Sequence, residues 1–331
     1  MNDRSAAIPA LELPLSARAP GKCILFGEHA VVHGAPELVL AIDLSTQVLV
    51  RGAAAFALNA DPDGLEHNPY FRTVVERCWA GRPPVAVRAV SRIPRAAGLG
   101  SSSAFVAASV AAFGAASGGL SRAELARRSF AVERGAQGVG SPGDTSACVA
   151  GGYVTLNGGS GPVLWTLSDG EKEWTARRAS DPGWTWVVAY TGVPRSTAEA
   201  VRAVGRRLGE PGGPELLAEF TRVATEGIRA LEAEDRAQVA ALMIQNQELL
   251  RHAGVSHPRI EALLEAARPV SEAGKLTGAG AGGSVVILPE RGREVELLRR
   301  LARAGALAFV VRASPHGAEV VDPNDPAPLP S

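Results

Sequence analysis

Three glycine-rich segments lie far apart along this chain: Ala19 to Gly34, Ile93 to Phe105 and Leu276 to Ser284. Any one of them alone is a weak signal; the second says most. Gly98 and Gly100, flanking Leu99, let the backbone approach an anion closely, and Ser101, Ser102 and Ser103 open a helix whose N–H groups, hydroxyls and dipole favour negative charge. The same residues could form a plain strand-to-helix turn, but three consecutive serines at a helix start favour a phosphate. No Gly-Lys-Ser/Thr follows the glycines, so this is not a Walker-type P-loop, and the Gly-x-Gly-x-x-Gly spacing of a dinucleotide site is absent.

At 331 residues the chain exceeds the size at which one core stops growing, so two closely packed domains are expected, 1–182 and 183–331. Lys plus Arg equals Asp plus Glu at 34 each, so net charge draws it to neither nucleic acid nor an anionic membrane surface; a small neutral or anionic substrate fits better. Three cysteines, Cys23, Cys78 and Cys148, are too few and too scattered for a disulfide framework or a zinc site, which points to a reducing cytoplasm and to buried thiols. The first sixteen residues lack the basic head and apolar core of a secretory signal and are expected to be unstructured. The proline-dense tail from Asp322 is expected to be frayed, and no stretch is apolar for long enough to span a bilayer.

Short β-rich runs, Lys22 to Phe26, Thr46 to Arg51 and Val85 to Ser91, imply an α+β layer in the first half. Helices are expected from Ser101 to Ala116 and, behind the capping box Ser121-x-x-Glu124, from Arg122 to Arg134, where Gly135, Gly138, Gly140 and Gly143 should stop it. Trp184 to Ala189 reads as a strand, Ser196-x-x-Glu199 as a capping box opening a helix through Leu208, and three further helices follow Pro211-Gly212-Gly213-Pro214. The chain closes as strand, turn, strand, helix, strand through Lys275–Thr277, Ser284–Leu288, Glu294–Arg303 and Leu307–Val311.

Two carboxylates stand out. Glu133 is expected at a helix C-terminus, where the macrodipole disfavours an anion by a few tenths to about 1 kcal/mol, so something positive should offset it. Mg²⁺, which takes one or two carboxylates, a hydroxyl and phosphate oxygens, is one candidate, and a salt bridge to Arg134 is another; the residues alone do not choose. Asp144, after Pro142-Gly143, suits an N-cap.

The order and text of the three glycine-rich segments resemble the GHMP kinase superfamily, and within it the first motif, from Ala19-Pro20-Gly21-Lys22 through Gly27-Glu28-His29 to Gly34, resembles that of the mevalonate kinases. The resemblance covers nearly the whole chain. It implies a two-domain α/β GHMP kinase fold, with an N-terminal ribosomal-protein-S5-domain-2-like domain, a C-terminal ferredoxin-like domain and an active site in the cleft between them. It further implies that ATP is bound by Gly98 to Ser103 with Glu28 near the nucleotide, and that Mg²⁺ is held by Ser102 and Glu133. Asp144 would accept the proton of the acceptor hydroxyl, with Lys22 beside it supporting the transferred phosphoryl group. His29, Thr197 and Gly280 would line the acceptor pocket, with a lesser role for Arg195 and Ser196. Homodimerisation is implied by the resemblance alone.

The chain departs from the family twice. After Asp144 it reads Ala147-Cys148-Val149-Ala150-Gly151-Gly152, without the usual aromatic, so that wall of the pocket is expected to be wider or drier. Glu37 stands where the family runs small and apolar. The expected reaction is phosphorylation of the primary hydroxyl of mevalonate. The alternatives are phosphomevalonate, homoserine or a sugar as acceptor, or a sensor that binds ATP and a metabolite without turnover. A phosphorylated acceptor should need more cations than Lys22, and a sensor should have lost Lys22, Glu133 or Asp144.

Overall fold

The structure, a computed structural model, describes residues 13–138, 140–194 and 197–326. Its first sheet is built on two long antiparallel strands, β1 (Leu15–Phe26) and β2 (Glu37–Gly52), in which Lys22 faces Ala41. Both run well beyond the sequence expectation. The strand expected from Lys22 extends back through Pro20 and Gly21, which the ladder absorbs as a register shift between the two residues. Residues 1–12 of the leader expected to be unstructured lie outside the described residues, but its end is ordered, since β1 starts at Leu15 and the buried Ser16 hydroxyl donates to Val48 O at 3.0 Å.

Around this pair lie β3 (Ala57–Leu58), β4 (Val85–Ser91), β5 (Tyr153–Leu156), β6 (Val163–Ser168) and β7 (Glu173–Ala179). β2 is long enough to hold β4 along its second half and β5 along its first, and β7 and β6 continue from β5. Helices α1 (Gly64–His67), α2 (Pro69–Cys78), α3 (Ser101–Ala115), α4 (Arg122–Gln137) and α5 (Gly143–Ala150) belong to this half of the chain. α3 is rich in small and apolar residues and is buried from Ser103 to Gly114, packed on β1 and β2. α4 does not stop at Arg134. Gly135 sits inside it because α2 crosses there, and a Cβ would lie 2.9 Å from Thr73 Cγ2. The stop is Gly138, at φ 75°, whose N–H donates to Arg134 O at 2.8 Å.

The chain leaves the first sheet after Ala179 and enters the second at β8 (Trp186–Tyr190). Helices α6 (Thr197–Leu208), α7 (Gly213–Glu232), α8 (Arg236–His252) and α9 (Pro258–Ala267) precede β9 (Ser271–Thr277) and β10 (Ser284–Pro289), and α10 (Glu294–Arg303) precedes β11 (Leu307–Val311). The antiparallel order β11-β8-β10-β9 is the ferredoxin-like arrangement expected. A last strand, β12 (Glu319–Val321), returns to β1 in the first sheet. Beyond it the part of the tail that is described forms a turn, with Asp325 N donating to Asp322 O at 2.9 Å, where fraying was expected. Among the described residues no helix is long and apolar enough to cross a membrane.

Candidate active site

β1 carries Lys22 into the interior, and the glycine loop closes over it. Lys22 N donates to Leu99 O at 2.9 Å. The approach needs glycine on both sides: a Cβ on Gly21 would lie 2.7 Å from Leu99 O, and one on Gly100, at φ 78°, would lie 2.8 Å from Lys22 Cγ. Gly100 precedes α3 without a side-chain cap, so the first amides of that helix are available to an anion. The Lys22 ammonium meets Asp144 Oδ1 at 2.8 Å, with the lysine side chain 2% exposed and the aspartate 37%. Asp144 lies in the first turn of α5 and makes no capping bond, so the N-cap reading does not hold. α5 sits over β1 and β2 through a small apolar cluster of Ile24, Val39, Ala41 and Ala147, which fixes Asp144 above Lys22.

Glu133, on the α4 face turned to this pair, is buried. Its Oε2 accepts from Thr145 Oγ1 at 2.7 Å, and Oε1 is buried without a hydrogen bond. Burial raises its pKa to about 7; Asp144 adds to the rise, while the nearby Ser103 and Thr145 hydroxyls and Lys22 oppose it. The Arg134 salt bridge considered from sequence is not made, because Arg134 reaches Asp169 at 3.2 Å. An orphaned carboxylate oxygen beside the serine-rich start of α3 suits a divalent cation that brings its other ligands from phosphate and water. Ser102, the hydroxyl expected at the metal, lies near the Tyr70 phenol, and its neighbour Ser103 lies near Glu133. Tyr70, Thr145 and Ser141 were not singled out from sequence. Thr145 follows Asp144 directly and was the most accessible of the three.

The third glycine-rich segment is tied to the other two. Thr277 Oγ1 accepts from Ile24 N at 2.7 Å and donates to Ile24 O at 3.0 Å, and Ser284 Oγ donates to Ala97 O at 2.8 Å. His29, held at φ 62°, donates through Nε2 to Ala279 O at 3.1 Å. Glu28, expected near the nucleotide, is instead buried in an ion pair with Lys275, which also donates to Leu276 O at 2.8 Å. Burial weakens both charges of that pair, raising the Glu28 carboxyl and lowering the Lys275 ammonium. Gly280 packs on Val255, where a Cβ would lie 2.3 Å from the carbonyl oxygen, and its neighbours Gly278 and Ala279 reach the cleft in its place. Arg195 and Ser196 lie outside the described residues, and Thr197 is described only as the backbone start of α6.

These groups face a cleft of about 690 Å³, counted to its open mouth, whose walls include Lys22, Glu28, His29, Glu133 and Asp144. That size suits a small acceptor rather than a macromolecule.

The sequence matches two family descriptions, "GHMP kinases N terminal domain" over residues 69–152 and "GHMP kinases C terminal" over residues 228–307. The mevalonate kinase of Archaeoglobus fulgidus is 31% identical over 277 residues, covering 81% of this chain and 90% of that one. The chain belongs to the GHMP kinase family. A second relative, the mevalonate kinase of Pyrococcus abyssi, is 32% identical over 343 residues, covering 92% of this GHMP kinase and 97% of its own length. Among solved structures, L. major mevalonate kinase in complex with R-mevalonate superposes with a TM-score of 0.75 at 22% identity, over 91% of this chain and 96% of that one, a likeness of fold. The wider or drier pocket wall expected after Asp144 is not found in this GHMP kinase. None of residues 147–152 lines the cleft. An eight-residue helix carries its far end about 10 Å from Asp144, and that end packs on His316 and Gly317.

Proposed function

We propose that the protein transfers the γ-phosphoryl group of ATP to the primary hydroxyl of mevalonate, giving 5-phosphomevalonate and ADP. The observation that carries this is the Lys22–Asp144 pair: a buried lysine, locked under the glycine loop, holding a carboxylate that is open to the cleft. Such a carboxylate is placed to accept the hydroxyl proton, and a loose phosphoryl-transfer transition state asks little base strength of it. Lys22 orients Asp144 and offers positive charge where charge develops, and the α3 amides after Gly100 offer N–H donors to the phosphates. The orphaned Glu133 oxygen and the Ser102 hydroxyl would hold Mg²⁺, which when bound neutralises phosphate charge, with Ser103 and Thr145 orienting the Glu133 carboxyl. His29, Thr197 and the turn residues Gly278 and Ala279, in place of Gly280, belong to the acceptor side in this reading.

The choice of mevalonate rests on the relatives, at about 30% identity, and on the shortage of free cations among the described residues of the cleft. Lys22 is engaged by Asp144 and Arg134 by Asp169, which is poor provision for a phosphorylated acceptor. Division of the chain near residue 182 belongs to the same proposal, supported by the change of sheet between Ala179 and Trp186. So does residence in a reducing cytoplasm, supported by the three free thiols, and assembly as a homodimer, supported by family resemblance and testable by sedimentation. The deciding experiment is an acceptor panel of mevalonate, phosphomevalonate, homoserine and galactose with coupled ADP detection. ADP released with mevalonate alone is the expected result. ADP released only with another acceptor would move the protein within the family, and ATP binding without ADP from any acceptor would make it a sensor.

A further inference from the structure

The phosphoryl transfer leaves one cleft carboxyl unused. Glu37 opens β2, is 1% exposed and lines the cleft with Lys22, Glu133 and Asp144. Its Oε2 lies so close to Gly143 that a Cβ there would be 2.0 Å away, which puts the carboxyl against the first turn of α5, one residue from Asp144. The Ser141 hydroxyl donates to the same oxygen at 3.4 Å, a long contact for two oxygens. Among the described residues no basic side chain pairs with it: the Lys22, Lys275 and Arg134 cations are engaged by Asp144, Glu28 and Asp169.

A buried carboxyl with so little bound to it is costly unless it keeps its proton or a ligand reaches it. Burial pushes the Glu37 carboxyl well above the usual range, with Asp144 and Glu28 adding to the rise and Lys22 and Ser141 opposing it. A carboxyl group that keeps its proton is a hydrogen-bond donor. Packing alone would be served better by an apolar side chain of similar volume.

We infer that Glu37 is a specificity-determining residue of the acceptor pocket, hydrogen-bonding the polar group that the acceptor carries nearest its reacting hydroxyl. The inference rests on the mevalonate reading, in which that group is the tertiary hydroxyl. It therefore separates mevalonate from an acceptor with hydrocarbon at the same point, because the unmatched carboxyl would be left buried and unpaired.

The test is steady-state kinetics of wild type, Glu37→Ala, Glu37→Leu and Glu37→Gln with mevalonate and with 5-hydroxy-3-methylpentanoate, the analogue lacking the tertiary hydroxyl. Loss of one such bond should raise the mevalonate KM roughly tenfold in the alanine and leucine variants, with the ATP KM unmoved. Glutamine, which retains a donor, should recover most of it, and the analogue should lose nothing in the alanine and leucine variants and gain with leucine, which removes the carboxyl it leaves unpaired. Leucine fills the site and stands in if alanine does not fold. An unchanged mevalonate KM would overturn the inference, and so would an equal loss with the analogue. A fall in kcat at constant KM would also overturn it, marking Glu37 as a prop for the turn that carries Asp144. Wild-type protein that leaves mevalonate unphosphorylated would overturn the acceptor reading first, a failure visible before any variant is compared.

Discussion

Gly100 shows how closely a single position is constrained at this site. It takes a left-handed φ of 78° and leaves no room for a Cβ, which would lie 2.8 Å from Lys22 Cγ and 3.1 Å from Lys22 N. Gly100→Ala should therefore push Lys22 off Asp144, and a displacement on the scale of 1 Å lowers turnover on the order of 10²-fold. Steady-state kcat at saturating ATP and acceptor checks this, alongside a melting curve to show that the fold survives. Glu133 makes the complementary case. Glu133→Gln keeps the shape and removes the charge, and the half-saturating Mg²⁺ concentration should rise at least roughly tenfold, as read from a magnesium titration of activity. Lys22, Glu133 and Asp144 were visible in the sequence because their motifs are local. The partners that hold them were not, since Thr145 and Tyr70 matter through positions that only folding brings together.

Among the elements, α5 is the one on which the chemistry depends. Its N-terminal turn presents Asp144, and its last carbonyls are taken by arginines from elsewhere in the chain. Arg178 donates to Ala150 O at 2.8 Å and to Gly151 O, and Arg122 donates to Val149 O at 2.8 Å and to Ala318 O at 2.6 Å. Two cations at a helix C-terminus match its dipole and satisfy orphan acceptors. Arg178→Ala should cost about 1–3 kcal/mol through the acceptors it strands, measured by urea unfolding, with turnover lowered because α5 loses its anchor. Strand and helix cores were legible as periodic apolar runs, but their limits were not. Gly135 reads as a breaker in the sequence, and the expected strand starts only after Gly21, yet each is a glycine so that a neighbour can approach, α2 in the first case and Leu99 in the second. Local pattern cannot distinguish a glycine that ends an element from one that lets another element pack against it.

At the scale of the molecule, the cleft exists because the second sheet is fastened to β1. Thr277 bonds both the N–H and the carbonyl of Ile24, and Lys275 is buried against Glu28. Lys275→Met would leave the Glu28 carboxyl buried without its partner and should destabilise the protein by about 3–5 kcal/mol, read from denaturant unfolding. A second change, Glu28→Leu, should return much of that stability. Three glycine-rich segments in the right order made the family and the two-domain architecture legible. The return of β12 to the first sheet, the docking of Lys275 on Glu28 and the placement of Glu37 beside Asp144 were not, because each joins residues that no local pattern connects. The central claim is that this cleft moves phosphate from ATP to mevalonate with Asp144 on the hydroxyl. Its most direct test is 5-phosphomevalonate formed by wild-type and Asp144→Asn protein side by side, with ATP affinity measured on both. Product from wild type, a loss of roughly 10²–10⁴-fold in the variant and nearly unchanged ATP binding are the expected result. Turnover retained by Asp144→Asn would contradict the account.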